Sequence, residues 1–139
     1  MVIGEKLWEG KIKSIGVEVS VVSAEGVTLK GTSQGILKGT GKANGFDGEL
    51  TFTRMIQKGP NGAGWSHGQG MFNMMNGEMA VVKSSDFVSR EEGKGKSIGL
   101  MSFMTTVPKL SWINGKVVLV TQEGDAAWNE WNTIIWEWK

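Results

Sequence analysis

Turn signals punctuate this chain at short intervals, and the runs between them alternate rather than repeat with a helical period. Ala24-Glu25-Gly26, Asn44-Gly45, Asp47-Gly48, Gly59-Pro60-Asn61-Gly62, Asn76-Gly77, Asn114-Gly115 and Glu123-Gly124-Asp125 all carry residues that accept tight-turn backbone. Between them lie runs rich in Val, Ile, Thr, Phe and Trp, the side chains that suit a pleated surface. In the run 15–23, Ile15, Val17, Val19 and Val21 share one face and Glu18 and Ser20 the other. Further runs occupy 27–42, 46–57, 64–75, 78–88, 96–106, 116–123 and 127–138. No stretch places apolar residues at i, i+3, i+4 and i+7 between caps, so helix is limited to a turn or two, best placed at 106–112 around Pro108.

The reading is therefore all-β, with about eight strands joined by tight turns in a single domain covering 1–139. Several runs exceed the ~5–6 residues of an ordinary strand. Glycine supports bent and closely packed strands: there are 21 glycines against two prolines, and Gly31, Gly35, Gly39 and Gly41 punctuate one long run. Long, coiled strands in simple succession predict an antiparallel up-and-down barrel, because closure removes both exposed edges. A two-sheet sandwich is the rival.

Charge and cysteine content exclude several functions. The formal net charge of +1 supplies no field for nucleic acid or an acidic membrane, and the absence of cysteine rules out disulfides and thiolate metal sites. No H-x-H or H-E-x-x-H spacing surrounds the single histidine, and no phosphate loop or dinucleotide fingerprint is present, so neither metal nor cofactor is expected. The N-terminal segment MVIGEKLWEGK lacks the apolar run of a signal peptide, and no window approaches a membrane span, which predicts a cytoplasmic protein.

One motif invites an enzymatic reading. The segment "GWSHGQG", residues 64–70, satisfies the G-x-S-x-G pattern of a nucleophile elbow. An elbow needs a strand turning into a helix, yet Gly68 and Gly70 follow Ser66 closely, and glycine opposes a helix start. On a strand, Ser66 and His67 point to opposite faces and cannot share a proton. The match is fortuitous.

The same segment offers a binding surface. As a strand it places Trp65, His67, Gln69, Met71 and Asn73 on one face, and Ser66, Gly68, Gly70, Phe72 and Met74 on the other. If the first face lines a lumen, it forms a pocket of apolar bodies with a few hydrogen-bonding groups. If it faces outward, His67 is an ordinary surface imidazole. In 46–57, Arg54 shares a face with Phe46, Leu50, Phe52 and Ile56. A guanidinium there must be paired or reach water, and Glu78, Glu130 or a ligand carboxylate are the candidate partners. The C-terminal run "AAWNEWNTIIWEWK" places Trp128, Glu130, Asn132, Ile134, Trp136 and Trp138 on one face, with Trp131 on the other. These indoles either close the barrel from within or bring Trp128 and Glu130 into a cavity as an aromatic wall and a polar group.

The order of "VTLKGTSQGILKGTGK", "FDGELTFTRMIQ", a glycine-rich strand and the "NGEMAVVK" hairpin resembles the allene oxide cyclase-like barrels, small eight-stranded members of the lipocalin-like kind. The resemblance spans about residues 14–123 in strand order and glycine placement. It implies an apolar lumen open at one end that binds or cyclises small hydrophobic molecules. No catalytic residue of that family maps onto a position here.

The expected function is thus binding of a small hydrophobic molecule in the lumen, with guided cyclisation or isomerisation as its catalytic extension. Trp65, His67, Gln69, Arg54, Glu78, Trp128 and Glu130 are the candidate ligand-binding residues. For chemistry, Glu49, Glu78 and Glu130 are candidate acids or bases, with Arg54 or His67 stabilising charge. The alternative is a non-catalytic homo-oligomer in which Trp131 or Trp138 lies between subunits.

Overall fold

The turn signals fall where the chain reverses. The computed structural model describes residues 2–139 and contains β1 (Ile3–Ser23), β2 (Gly26–Gly39), β3 (Gly48–Lys58), β4 (Gly64–Met74), β5 (Met79–Glu91), β6 (Lys94–Thr105), β7 (Val117–Asp125) and β8 (Glu130–Trp138). Each strand pairs antiparallel with the next, and β8 returns to β1 to close an eight-stranded up-and-down barrel. Closure settles the barrel against the sandwich. The connection from β5 to β6 shows the local logic: Glu92 and Gly93 both have positive φ, 53° and 76°, as a two-residue type I′ hairpin turn requires.

The first strand starts well before the alternating run at 15–23, and its register shows why alternation alone did not reveal it. Lys6 pairs with Trp136 and Trp8 with Ile135, so Leu7 is an extra, bulged residue. Leu7 and Trp8 consequently both bury in the core, which breaks the period of two. A further irregularity between Ser14 and Gly16 shifts β1 against β2. Beyond Lys13, β1 leaves β8; the last link is Ser14 N–H to Asn129 O at 2.8 Å. From there to Ser23 it is paired only with β2.

The two ends of the barrel differ. At one end the connections carry 3-10 turns, Gly41–Ala43 and Pro108–Ile113, and the latter lies in the region expected to hold the helical turn. Leu110, Ile113 and Ala43 from these turns bury against the strands as a plug. Beneath it Trp8 stacks on Phe103 at 4.9 Å and meets Phe72 edge-on at 5.7 Å, while its indole N–H donates to Phe46 O at 3.0 Å. Glu137 of β8 ties this end down through a direct ion pair with Lys42. At the other end four short hairpins surround the lumen, and the filling there is incomplete.

Candidate functional site

Inward positions change character along the bore. Past the aromatic plug comes Phe52, and above its ring lies the Arg54 guanidinium, 5.0 Å from the ring centre. Arg54 Nη1 donates to Asp86 Oδ2 at 3.2 Å and to Gln122 Oε1 at 3.4 Å; Gln122 Nε2 in turn donates to Thr133 Oγ1 at 3.2 Å. A polar layer from β3, β5, β7 and β8 thus spans the barrel interior. The Arg54 side chain is 11% exposed and that of Asp86 1%.

Glycine makes this layer sterically feasible. Arg54 is registered with Gly68, and Gly68 with Ser84, while Ser66 is registered with Asp86. Arg54 therefore crosses over β4 to reach β5. A Cβ on Gly68 would lie 2.6 Å from the Phe52 ring and 2.8 Å from Arg54 Cβ, and one on Gly70 would lie 2.8 Å from the same ring. The glycines of "GWSHGQG" are the low floor under Phe52 and Arg54. Ser66 itself is buried with an unpartnered hydroxyl, and His67 lies outside, consistent with a strand rather than an elbow.

Burial pushes the Asp86 carboxyl above its ordinary pKa, and the Arg54 charge pulls it back. Burial likewise lowers Arg54, opposed by Asp86. The guanidinium keeps its proton, as arginines do in proteins, and so presents a cation to the Asp86 carboxyl. Removing either partner alone would strand a buried charge.

Above the polar layer, toward the hairpin end, lies a cavity of about 120 Å³. Its apolar walls come from Val17, Leu29, Ile56, Val88 and the indoles of Trp128 and Trp131, and its polar lining includes Arg54, Ser33 and Ser97. Trp128 reaches it through an unusual backbone: its φ of 56° turns the chain immediately before β8. Its ring then meets Trp131 edge-on at 5.6 Å. Gly95 of β6 provides the space, since a Cβ there would fall within the Trp128 indole. Lys58 stands at the mouth, its pKa lowered by burial and by the nearby Arg90.

Of the residues singled out from sequence, the structure brings Arg54 and Trp128 together at this cavity. Trp65, His67 and Gln69 point outward from β4; Trp65 is 66% exposed and packs edge-on against Phe87 at 5.1 Å. Glu78 is exposed in the β4–β5 turn, accepting from Asn76 Nδ2 at 2.6 Å. Glu130 lies on the outer face of β8, where it pairs with Lys11 at 2.9 Å. Glu49 is outside too, accepting from Gln34 Nε2 at 3.0 Å. The partner of Arg54 is Asp86, not either glutamate considered. Trp136 does not enter the bore but donates to Thr121 Oγ1 at 3.0 Å. Trp131 is buried within its own barrel, and Trp138 is partly exposed.

Asp86, Gln122 and Ser97 escaped the sequence reading, and Trp131 entered it only as a barrel-closing or subunit-contact indole. The signal for Asp86 was a carboxylate in phase with Ala80, Val82, Ser84 and Val88. It was masked because the opposite face of β5 also carries Met79, Val81 and Phe87. Larger depressions, of about 960 and 760 Å³, lie on the outer wall between exposed strand side chains. They are more open to solvent than the inner cavity and have no indole in their lining. Among the described residues no group of three or more His, Asp or Glu is placed to hold a metal ion, and no helix is long and apolar enough to cross a membrane.

No protein-family model matches the chain, and no curated protein matches it by sequence. Solved structures do share its fold. A protein of unknown function from Clostridium acetobutylicum ATCC 824 superposes with a TM-score of 0.79 at 11% identity, covering 98% of this chain and 97% of that one. A β-barrel-like protein from Acinetobacter baumannii AYE gives 0.74 at 12% identity, covering 97% and 94%. An enzyme from Penicillium herquei gives 0.66 at 18% identity, covering 96% and 92%. At these identities the likeness concerns the barrel alone.

Proposed function

We propose that this protein binds a small, largely apolar molecule in the hairpin-end cavity of its barrel. One observation carries the reading: a cavity of about 120 Å³, walled by Trp128, Trp131, Val17, Leu29 and Ile56, sits over a buried ion pair instead of being filled by side chains. Apolar cavities of about 150 Å³ accept a single aromatic ring in other proteins. Burial of a guest against two indoles supplies the driving force, and the polar floor orients it. The resemblance to allene oxide cyclase-like barrels supports the same reading and extends it to guided cyclisation or isomerisation. Asp86 is the sole carboxylate of the layer beneath the cavity, and its Oδ1 lies against Gly99 in the wall. That arrangement favours binding over proton abstraction.

The test is a panel of single-ring apolar compounds, followed by intrinsic tryptophan fluorescence and melting temperature. Binders are expected to shift the emission and raise the melting temperature, and Trp128→Ala to abolish both responses. A panel with no responding compound overturns the reading.

A second reading, self-association, draws on the free edge of β1. Between Ser14 and Ala24 the only charged residue is Glu18, while Ile15, Val17, Val19, Val21 and Val22 are exposed, without the lysines or prolines that usually blunt an edge. Antiparallel pairing of two copies about Val19 sets Glu18 opposite Ser20 and avoids a like-charge clash. Sedimentation of the protein and of Val19→Lys tests it: a dimer lost in the variant supports the reading, and a wild-type monomer at all concentrations refutes it.

A further inference from the structure

The cavity has a chemical asymmetry that its apolar walls do not explain. Three of its lining residues carry buried polar hydrogens with no acceptor among the described residues: Arg54 Nε, Trp131 Nε1 and Ser97 Oγ. Guanidinium and indole nitrogens are donors only, so neither can be satisfied by another donor. Buried donors without partners are costly, and a cavity that collects them is built to receive an acceptor.

The charge of that acceptor follows from the floor. Arg54 is already matched by Asp86 at 3.2 Å, and the pair is neutral. A carboxylate placed at Arg54 Nε would bring a second anion into a site holding one cation and one anion. Its desolvation would go largely uncompensated. A neutral oxygen acceptor meets the same donors without that cost.

Resting on the binding reading above, we propose that the natural guest carries a neutral carbonyl oxygen, as in a ketone, lactone or amide. That oxygen accepts from Arg54 Nε and Trp131 Nε1, with the apolar body packed against Trp128, Val17, Leu29 and Ile56. Arg54 and Trp131 then determine specificity, and Asp86 is a positioning residue that fixes the guanidinium. The selection acts by chemistry rather than size, because a site whose buried donors demand an acceptor rejects the analogue that lacks one.

Three probes of similar shape test this: acetophenone, ethylbenzene and benzoate. Each is titrated against the full-length protein while the indole N–H resonances of Trp128 and Trp131 are followed by NMR. Acetophenone is expected to bind at least about tenfold more tightly than either of the others, as befits a hydrogen bond from a charged donor. The Trp131 indole proton should move downfield with acetophenone only. Trp131→Phe retains the ring and removes the donor. It should weaken acetophenone binding several-fold while leaving ethylbenzene unchanged, read from the Trp128 resonance. Equal affinity for acetophenone and ethylbenzene overturns the carbonyl proposal and leaves apolar binding standing. Tightest binding of benzoate overturns it in favour of an anionic guest. Failure of all three probes to perturb either indole overturns both the proposal and the binding reading.

Discussion

Gly99 faces Asp86 across the β5–β6 ladder so closely that a Cβ on Gly99 would overlap the carboxylate oxygen Oδ1. The barrel wall is therefore moulded around one buried acid. Gly99→Ala should displace the carboxylate from Arg54 and destabilise the fold by about 1–3 kcal/mol, as overpacking does. Urea unfolding measures it. In an Asp86→Ala background the same substitution should cost less, because the overlap with the carboxylate is gone and only the Ser85 carbonyl, 2.5 Å from such a Cβ, still opposes it.

The ion pair itself predicts strong coupling. Asp86→Leu or Arg54→Met alone leaves one buried charge unmatched, with an expected loss of about 3–5 kcal/mol. The double variant Arg54→Met, Asp86→Leu should recover most of that loss. A denaturation cycle in which the two single effects simply add would contradict a directly paired arrangement.

Two carboxylates give opposite pH signatures. Asp86 has a raised pKa in the fold, so the native state holds its proton more tightly than the unfolded chain does. Its contribution to stability is largest at low pH and falls as pH climbs from about 3.9 through the raised value. Glu137 is lowered, chiefly by the hydrogen bond from Lys42, with Lys42 and Lys139 charges adding to it. Its contribution is present above its unfolded value, about 4.3, and is lost as pH falls through the folded one. Urea midpoints across the acid range should show a shallower loss on acidification for Glu137→Gln than for wild type. For Asp86→Asn the decline on raising the pH should disappear.

Gly95 gives a handle on the cavity wall. A methyl group there intrudes on the Trp128 indole, so Gly95→Ala should shift tryptophan emission and shrink or close the cavity. Any wild-type response to a single-ring compound should be reduced in the variant at least about as much as stability is, when both are read as free energies.

Ser66 makes the last prediction. Its hydroxyl is buried with no hydrogen-bond partner among the described residues. Ser66→Ala should leave the fold intact and stabilise it by up to about 1 kcal/mol, since an unsatisfied buried hydroxyl is removed. Thermal unfolding reads this out, and a marked destabilisation would mean the hydroxyl holds a partner in solution.

These relationships also show how far residue order carries. Turn chemistry and alternation are local, so the eight strands, their succession and the turn near Pro108 were readable. Arg54 stood out because its neighbours on the same face are apolar. Asp86 did not, since its strand is apolar on both faces and its link to Arg54 crosses an intervening strand through Gly68. Leu7 and Trp128 each break the period of two, one by a bulge and the other by a left-handed backbone. Such resets depend on register against a neighbouring strand, and a single run of residues does not encode them. On β4, which alternates without a register shift, residue order left both faces open, and the barrel turns the face of Ser66, Gly68 and Gly70 inward.

The plug built from Pro108–Ile113 and Gly41–Ala43 turns the barrel into a blind alley. Whatever enters past Trp128 has to depart by the same doorway, and a newcomer cannot slip by an occupant. For the guest proposed above, exchange would then run one molecule at a time, with the rim of four hairpins rather than the depth of the bore governing how long it remains.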